Sequence, residues 1–288
     1  MPTPSLHKRA WSKGHVYLVT YPRCGSIPNA SPWSLKLETW LRVTGIPYTG
    51  ISNEFKHFST KGQVPFVELN GRQIADSNVI IDKLTEEFEL KDLEPTDSMD
   101  KARDRAITAL VEDNLIWTLF SLRTQDQSYL TSDEGWGRHL GTGIKKRLLK
   151  FFARRRMNKL LNDRCNAHGM GRNSMDEIER FAKADIDALS SLLGDKEYFF
   201  GDKIRTLDCT VFGHLAQFLH TTMPHGSPTL PRYIHETKPN LADFVHRIKE
   251  KYWPDWQTTC ESMDLNTHHQ SKEGTESEET ADGKELIK

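Results

Sequence analysis

Three stretches of this chain carry side chains that could do chemistry. The first is Ser31-Pro32-Trp33-Ser34-Leu35-Lys36-Leu37-Glu38-Thr39-Trp40-Leu41-Arg42, whose spacing is helical. A serine at the head of a helix satisfies a free N–H, and proline fits the first helical position. A helix N-terminus also favours anions, so the Ser31 hydroxyl is equally placed to hold a thiolate. A charge-assisted hydrogen bond of about 1.5–3 kcal/mol would draw a thiol pKa of about 8.5 toward neutrality. The second is Cys24, in the loop after the first predicted strand, which could exchange disulfides if its pKa were low. The third, Lys145 to Arg156, is a basic helical segment with two phenylalanines and no acid. It reads as a solvated helix face rimming a cleft, with contact to anionic lipid or a partner as the alternative. The twelve histidines show no metal-ligand spacing, so no metal site is expected.

These residues need elements to position them. His15 to Tyr21 reads as a strand leading through the loop 22–30 into the Ser31 helix, which Gly45 and Pro47 stop. The inward stripe of that helix is Trp33, Leu37, Trp40, Leu41 and Thr44, which leaves Lys36, Glu38 and Arg42 to water. Tyr48 to Ser52 reads as a second strand and residues 54–61 as a loop or irregular helical turn. Val64 to Leu69, Asn70-Gly71 and Arg72 to Ala75 form a hairpin. Asp76-Ser77 then caps a helix over 78–89. After a polar linker the pattern is helical: one long helix from Asp100 to about Tyr129, another opened by the capping box Ser174 to Glu177, a central apolar helix over 207–219, and a last over 240–253.

At 288 residues the chain suits two domains, and 39 Lys and Arg nearly cancel 40 Asp and Glu, so no overall field argues for nucleic acid. Cys24, Cys165, Cys209 and Cys260 are far apart, which points to free thiols in a reducing, cytoplasmic compartment. No segment reads as a secretory signal or a transmembrane span. The expected units are a polar segment (1–14), an α/β domain (15–92), a linker (93–99), an all-α domain (100–262) and an acidic, disordered tail (263–288).

The strand and helix order, with a proline opening the third strand, resembles the thioredoxin-like half of a glutathione transferase. The string from Pro28 to Arg42 is similar to a signature of the failed axon connections family, relatives of the metaxins. Gly62 to Glu68, Asp76 to Ile81, Tyr198 to Lys203 and Asp208 to Phe218 follow at that family's spacing, so the resemblance spans about residues 15 to 256. It implies the glutathione transferase architecture, an N-terminal thioredoxin-like domain followed by an all-helical domain. It also implies a cis bond before Pro65 and glutathione held by Trp33, Gln63, Val64, Pro65, Asp76 and Ser77. Ser31 would activate the thiol, whereas cysteine-type transferases place their nucleophile at the position of Ser31 and not of Cys24. The activity implied is conjugation of glutathione to small apolar electrophiles, or peroxide reduction, in a protein that could pair as a homodimer. The alternative is a non-catalytic adaptor working through protein partners, metaxin-like or in axon development. One position departs from the family pattern: Arg205 stands where a Ser or Thr usually caps the central helix. Thr206 is then expected to make the cap, or the helix to start later, at a local cost of about 0.5–2 kcal/mol.

Overall fold

The computed structural model describes residues 6–224, 229–262 and 268–269. Strand β1 (Val16–Thr20) leads into helix α1 (Pro32–Thr44), followed by β2 (Tyr48–Ser52), β3 (Phe66–Leu69), β4 (Arg72–Ala75) and α2 (Ser77–Glu87). The sheet runs β4-β3-β1-β2 and is extended at the β2 edge by β5 (His268–His269). The rest of the stretch read as an acidic tail lies outside the described residues. β1 and β2 are parallel, β3 and β4 antiparallel to their neighbours, and the hairpin turns on Asn70 and Gly71, both at positive φ (49° and 76°), the primed geometry this dipeptide favours.

A helical unit follows: α3 (Ser98–Ala109), α4 (Ile116–Arg123), α5 (Ser128–Thr131), α6 (Gly143–His168), α7 (Met175–Leu193), α8 (Thr206–Leu219), α9 (Thr229–Thr237), α10 (Pro239–Tyr252) and α11 (Trp256–Ser262). The single long helix expected from Asp100 to Tyr129 is divided. Leu110–Leu115 forms a π-helical turn between α3 and α4, and the chain breaks again before α5. The wider turn aims Glu112 back at α1 and α2 while Asn114 faces α7. Ser174 and Glu177 form the expected reciprocal box.

The reading of α1 as a half-exposed helix is corrected. Its apolar stripe does pack on the sheet, with Leu37, Trp40 and Leu41 fully buried, but the opposite face is covered by α8 and α10. Gly213 on α8 permits the approach. A Cβ there would stand 2.7 Å from the Lys36 N and 2.8 Å from the Pro32 carbonyl oxygen, distances no side chain tolerates. Lys36 and Glu38 are therefore buried with no exposed surface, and each finds a partner, as a buried charge must. Glu38 takes a bidentate grip from Arg23 (2.6 and 2.6 Å) and a bond from the Tyr48 hydroxyl (3.1 Å). Arg42 donates to Asp255 and to the Tyr252 carbonyl and lies 3.7 Å from the centre of the Trp253 ring. Lys36 reaches Asn78 (2.6 Å) and Glu112 (2.8 Å).

The cap of α8 also differs from the expectation. Thr206 turns its hydroxyl to the Trp40 indole N–H (3.1 Å) instead of to the helix. Asp208 supplies the cap, its carboxylate accepting the N–H groups of Arg205 (2.7 Å) and Phe199 (2.9 Å). Burial raises its pKa to about 7 even so, the two backbone bonds working in the opposite direction.

Two substitutions test the packing of α1. Gly213→Ala should destabilise by about 1–3 kcal/mol through overpacking, and an unchanged thermal midpoint would show that α1 and α8 are further apart. Arg23→Met strands Glu38 and should cost about 3–5 kcal/mol, while Arg23→Met combined with Glu38→Leu should recover much of it.

Candidate functional site

The register brings three separate segments to one end of the sheet. Val19 pairs with Phe66 and Phe66 with Ala75, so the end of β1, the start of β3 and the end of β4 are neighbours. Val64-Pro65 lies just before β3, Asp76-Ser77 opens α2, and the loop after β1 leads to Ser31 at the head of α1.

The Val64-Pro65 peptide is cis, and the Val64 N–H and C=O make no hydrogen bond to the described residues. This short piece of backbone is thus free to pair with an extended peptide, as at a sheet edge. Asp76 adopts φ 89°, ψ 121°, a conformation that costs a non-glycine residue on the order of 1–3 kcal/mol. Its carboxylate accepts the N–H groups of Asn78 (3.1 Å) and Val79 (3.5 Å) yet stays 47% exposed, with Lys61 at 3.9 Å. One oxygen caps α2 and the other is turned outward toward the exposed Lys61 ammonium, so the carboxylate can take a cationic group. Ser77 is buried, and Gln63 is exposed beside Val64.

Ser31 is only 8% exposed, and its Oγ accepts the Ser34 N–H over a long 3.4 Å. Its own N–H donates to Asn29 Oδ1 (2.9 Å), and Gln217 on α8 holds the Asn29 carbonyl (3.0 Å). Because Oγ is the acceptor in that bond, the hydroxyl proton is left for another partner. Cys24 is different. The segment 129–139 clamps the loop over it, with Ser26 N–H bonded to the Glu134 carbonyl, Trp136 Nε1 to the Pro22 carbonyl and His139 to the Arg23 carbonyl. Cys24 has no exposed surface, and burial pushes its thiol well above the ordinary range despite the hydrogen bond from Ala30 and the nearby arginines. A thiol so placed is not poised as a nucleophile.

Trp33 is half-buried and begins an aromatic wall in the helical unit. Its ring stands perpendicular to that of His214 at 5.7 Å and lies 6.0 Å from Phe120, which meets Trp117 at 5.7 Å. Trp117 stacks on His168 at 4.4 Å. Tyr21, at the end of β1, packs with Phe55, Phe58 and Trp136, and burial raises its hydroxyl pKa.

Sequence reasoning missed the network of Lys36, Asn78 and Glu112. Asn78 Nδ2 donates to Glu112 Oε2 (2.9 Å), closing a triangle with Lys36 that ties the first turn of α2 to the helical unit. Burial works against the Glu112 carboxylate, but Lys36, His214 and the two hydrogen bonds hold its pKa below the usual range. The signal available in the sequence was an unusual density of ionisable residues on a helix between two tryptophans. Nothing local identified their partners.

Family models of the glutathione S-transferase N-terminal domain and C-terminal domain match residues 32–128 and 182–248. Failed axon connections of Drosophila melanogaster is 36% identical over 98% of this chain and 67% of its own length. The isoprene-epoxide–glutathione S-transferase of Rhodococcus sp. (strain AD45) is 30% identical over 81% of this chain and 97% of its own length. Metaxin-2 of Mus musculus is 26% identical over 77% and 82%. Among solved structures, a rice glutathione S-transferase in complex with glutathione superposes with a TM-score of 0.54 at 15% identity, covering 83% of this chain and 90% of that one.

The buried imidazole of His214, against Trp33, and the half-buried imidazole of His220, against Trp256, predict a pH dependence. Burial pushes the pKa of His214 and of His220 down to about 4 from 6.5. The unfolded chain takes up protons below about pH 6.5, which the folded chain does only near pH 4. Stability present above that window is therefore lost as pH falls through it, on the order of 3 kcal/mol for His214. The thermal midpoint of wild type should drop more between pH 7 and pH 4 than that of His214→Gln. Parallel curves would show that His214 is not held neutral.

Proposed function

From the premise that this chain belongs to the failed axon connections family, a metaxin-related branch of the glutathione S-transferase-like proteins, we propose that it binds glutathione at the end of the sheet and lowers the pKa of its thiol. The observation that carries the reading is the unpaired N–H and C=O of Val64 beside the half-exposed Asp76 carboxylate. The cysteinyl backbone of the peptide pairs with Val64, in strand fashion. Asp76 takes the γ-glutamyl ammonium, Ser77 and the N-terminus of α2 take the γ-glutamyl carboxylate, and Gln63 flanks the peptide. Pro65 sets the direction of the Val64 carbonyl.

The thiol then points to the N-terminus of α1, where Ser31 Oγ–H donates to the sulfur. Thiolate forms as the thiol proton leaves to solvent, and the sulfur attacks a small apolar electrophile lying against Trp33, Phe120 and Trp117. Because Cys24 is buried, the chemistry is addition by the bound peptide's thiolate and not exchange at a protein thiol. The four described cysteines are all free and buried, and we place the activity in the cytoplasm.

The adaptor reading is favoured by one feature, the 8% exposure of Ser31. Two measurements separate the two. In calorimetric titration with glutathione, Asp76→Asn keeps a capping side chain but loses the charge, and should weaken binding about tenfold or more with little change in thermal midpoint. Equal affinity would remove Asp76 from the site. In a pH titration of thiolate absorbance in the complex, wild type should give a pKa below that of free glutathione and Ser31→Gly a value near it. Glutathione that binds with an unperturbed thiol would leave a peptide-binding adaptor as the better account.

A further inference from the structure

Helix α6 turns most of its large apolar side chains outward. Of the twelve large apolar side chains that stand exposed among the described residues, six lie on this helix: Ile144, Leu148, Leu149, Phe151, Phe152 and Leu160. Ile144, Phe151 and Phe152 are 79%, 61% and 63% exposed. The side that meets the protein is Ala153, Met157, Leu161 and Cys165, at four-residue spacing and less exposed. Such an arrangement opposes the hydrophobic effect unless something covers the outer face.

The charge on the same helix indicates what that is. Eight Lys and Arg and no acid fall between Lys145 and Lys159, in a chain whose net charge is only −1. Lys146 and Arg154 pair with Asp133 and Asp126, whereas Arg147, Lys150, Arg155, Arg156 and Lys159 make no ion pair among the described residues. Arg147, Lys150, Arg154 and Arg155 join Phe151 and Asn158 around a shallow depression of about 600 Å³. Cations and apolar side chains thus share the outer side of α6 from Ile144 to Leu160, about 24 Å at 1.5 Å per residue.

We propose that this face of α6 lies on an anionic lipid bilayer, with Phe151, Phe152, Ile144 and Leu148 entering the acyl boundary and the arginines and lysines holding lipid phosphates. A bilayer offers both chemistries at one depth, phosphates at the level of the helix axis and hydrocarbon just beneath it. A second copy of the chain, related by a two-fold axis, would set the cations of one α6 against those of the other. The same chemistry could be met by an acidic amphipathic protein helix, and the test distinguishes it.

The full chain is floated with vesicles of phosphatidylcholine alone and of phosphatidylcholine with phosphatidylserine, at low and high salt. It should bind only the phosphatidylserine vesicles, and salt should weaken binding. Phe151→Ser with Phe152→Ser, and separately Arg155→Glu with Arg156→Glu, should each lower partitioning at least about tenfold with thermal midpoint and glutathione binding unchanged, since these side chains are solvent-exposed. No binding to either vesicle, or binding that both double variants retain, overturns the proposal. A molecular mass in solution that doubles in wild type and not in the phenylalanine variant would assign the face to a second copy. Capture of an acidic helical peptide without vesicle binding would assign it to a protein.

Discussion

At the crossing of α1 and α8 two helix backbones approach so closely that position 213 has no room for a Cβ. That approach determines what surrounds α1. A helix packed on a sheet normally keeps one face for water, and its charged residues lie there. Here α8 and α10 occupy that face, so every ionisable side chain on α1 must either find a partner inside the protein or lose its charge. Lys36, Glu38 and Arg42 each find one, and the partners come from the loop after β1, from β2, from α2, from the π-helical turn and from the segment before α11.

Buried ion pairs of this kind contribute little net stability against an apolar core of the same shape, because desolvation offsets the Coulomb attraction. Their effect is on geometry. Arg23 draws the 22–30 loop inward to Glu38, and with the 129–139 segment above it the loop closes over Cys24. Lys36 and Glu112 hold Asn78, two residues beyond Asp76, so the N-terminus of α2 is oriented from the helical unit and not only from its own sheet. The π-helical turn is what allows Glu112 to reach this far, since a regular helix through 110–115 would carry its side chain to a different angle.

The candidate site follows from the same constraint. Ser31 sits at the N-terminal end of a helix covered on both faces, where a capping hydroxyl and a thiol-binding hydroxyl are the same atom. Its oxygen accepts the Ser34 N–H at 3.4 Å, so the hydroxyl proton takes no part in the cap and can be donated to a thiolate while the oxygen still faces the helix. Asp76 divides its two oxygens in the same way, one to the cap and one outward beside Lys61. Cap and ligand site coincide because the first turn of a helix leaves N–H groups that either a side chain or an anion can satisfy.

Features satisfied within a few residues were legible in the sequence. The Asn70-Gly71 turn, the Ser31-Pro32 start, the Asp76 cap and the Ser174 to Glu177 box all complete their hydrogen bonds inside four residues, so their residue types alone specify them. The string from Pro28 to Arg42 and the Val-Pro and Asp-Ser elements likewise carried the family. Periodicity failed where a helix has no free face. It sent Lys36, Glu38 and Arg42 to water and ran α3 and α4 together, and residue type alone pointed to Thr206 as the α8 cap. What covers each of these depends on residues far away in the chain, 76 positions between Lys36 and Glu112 and 213 between Arg42 and Asp255. Only the tertiary structure brings them together, because the dielectric around a charge is set by everything packed against it, and a sequence pattern reports only its near neighbours.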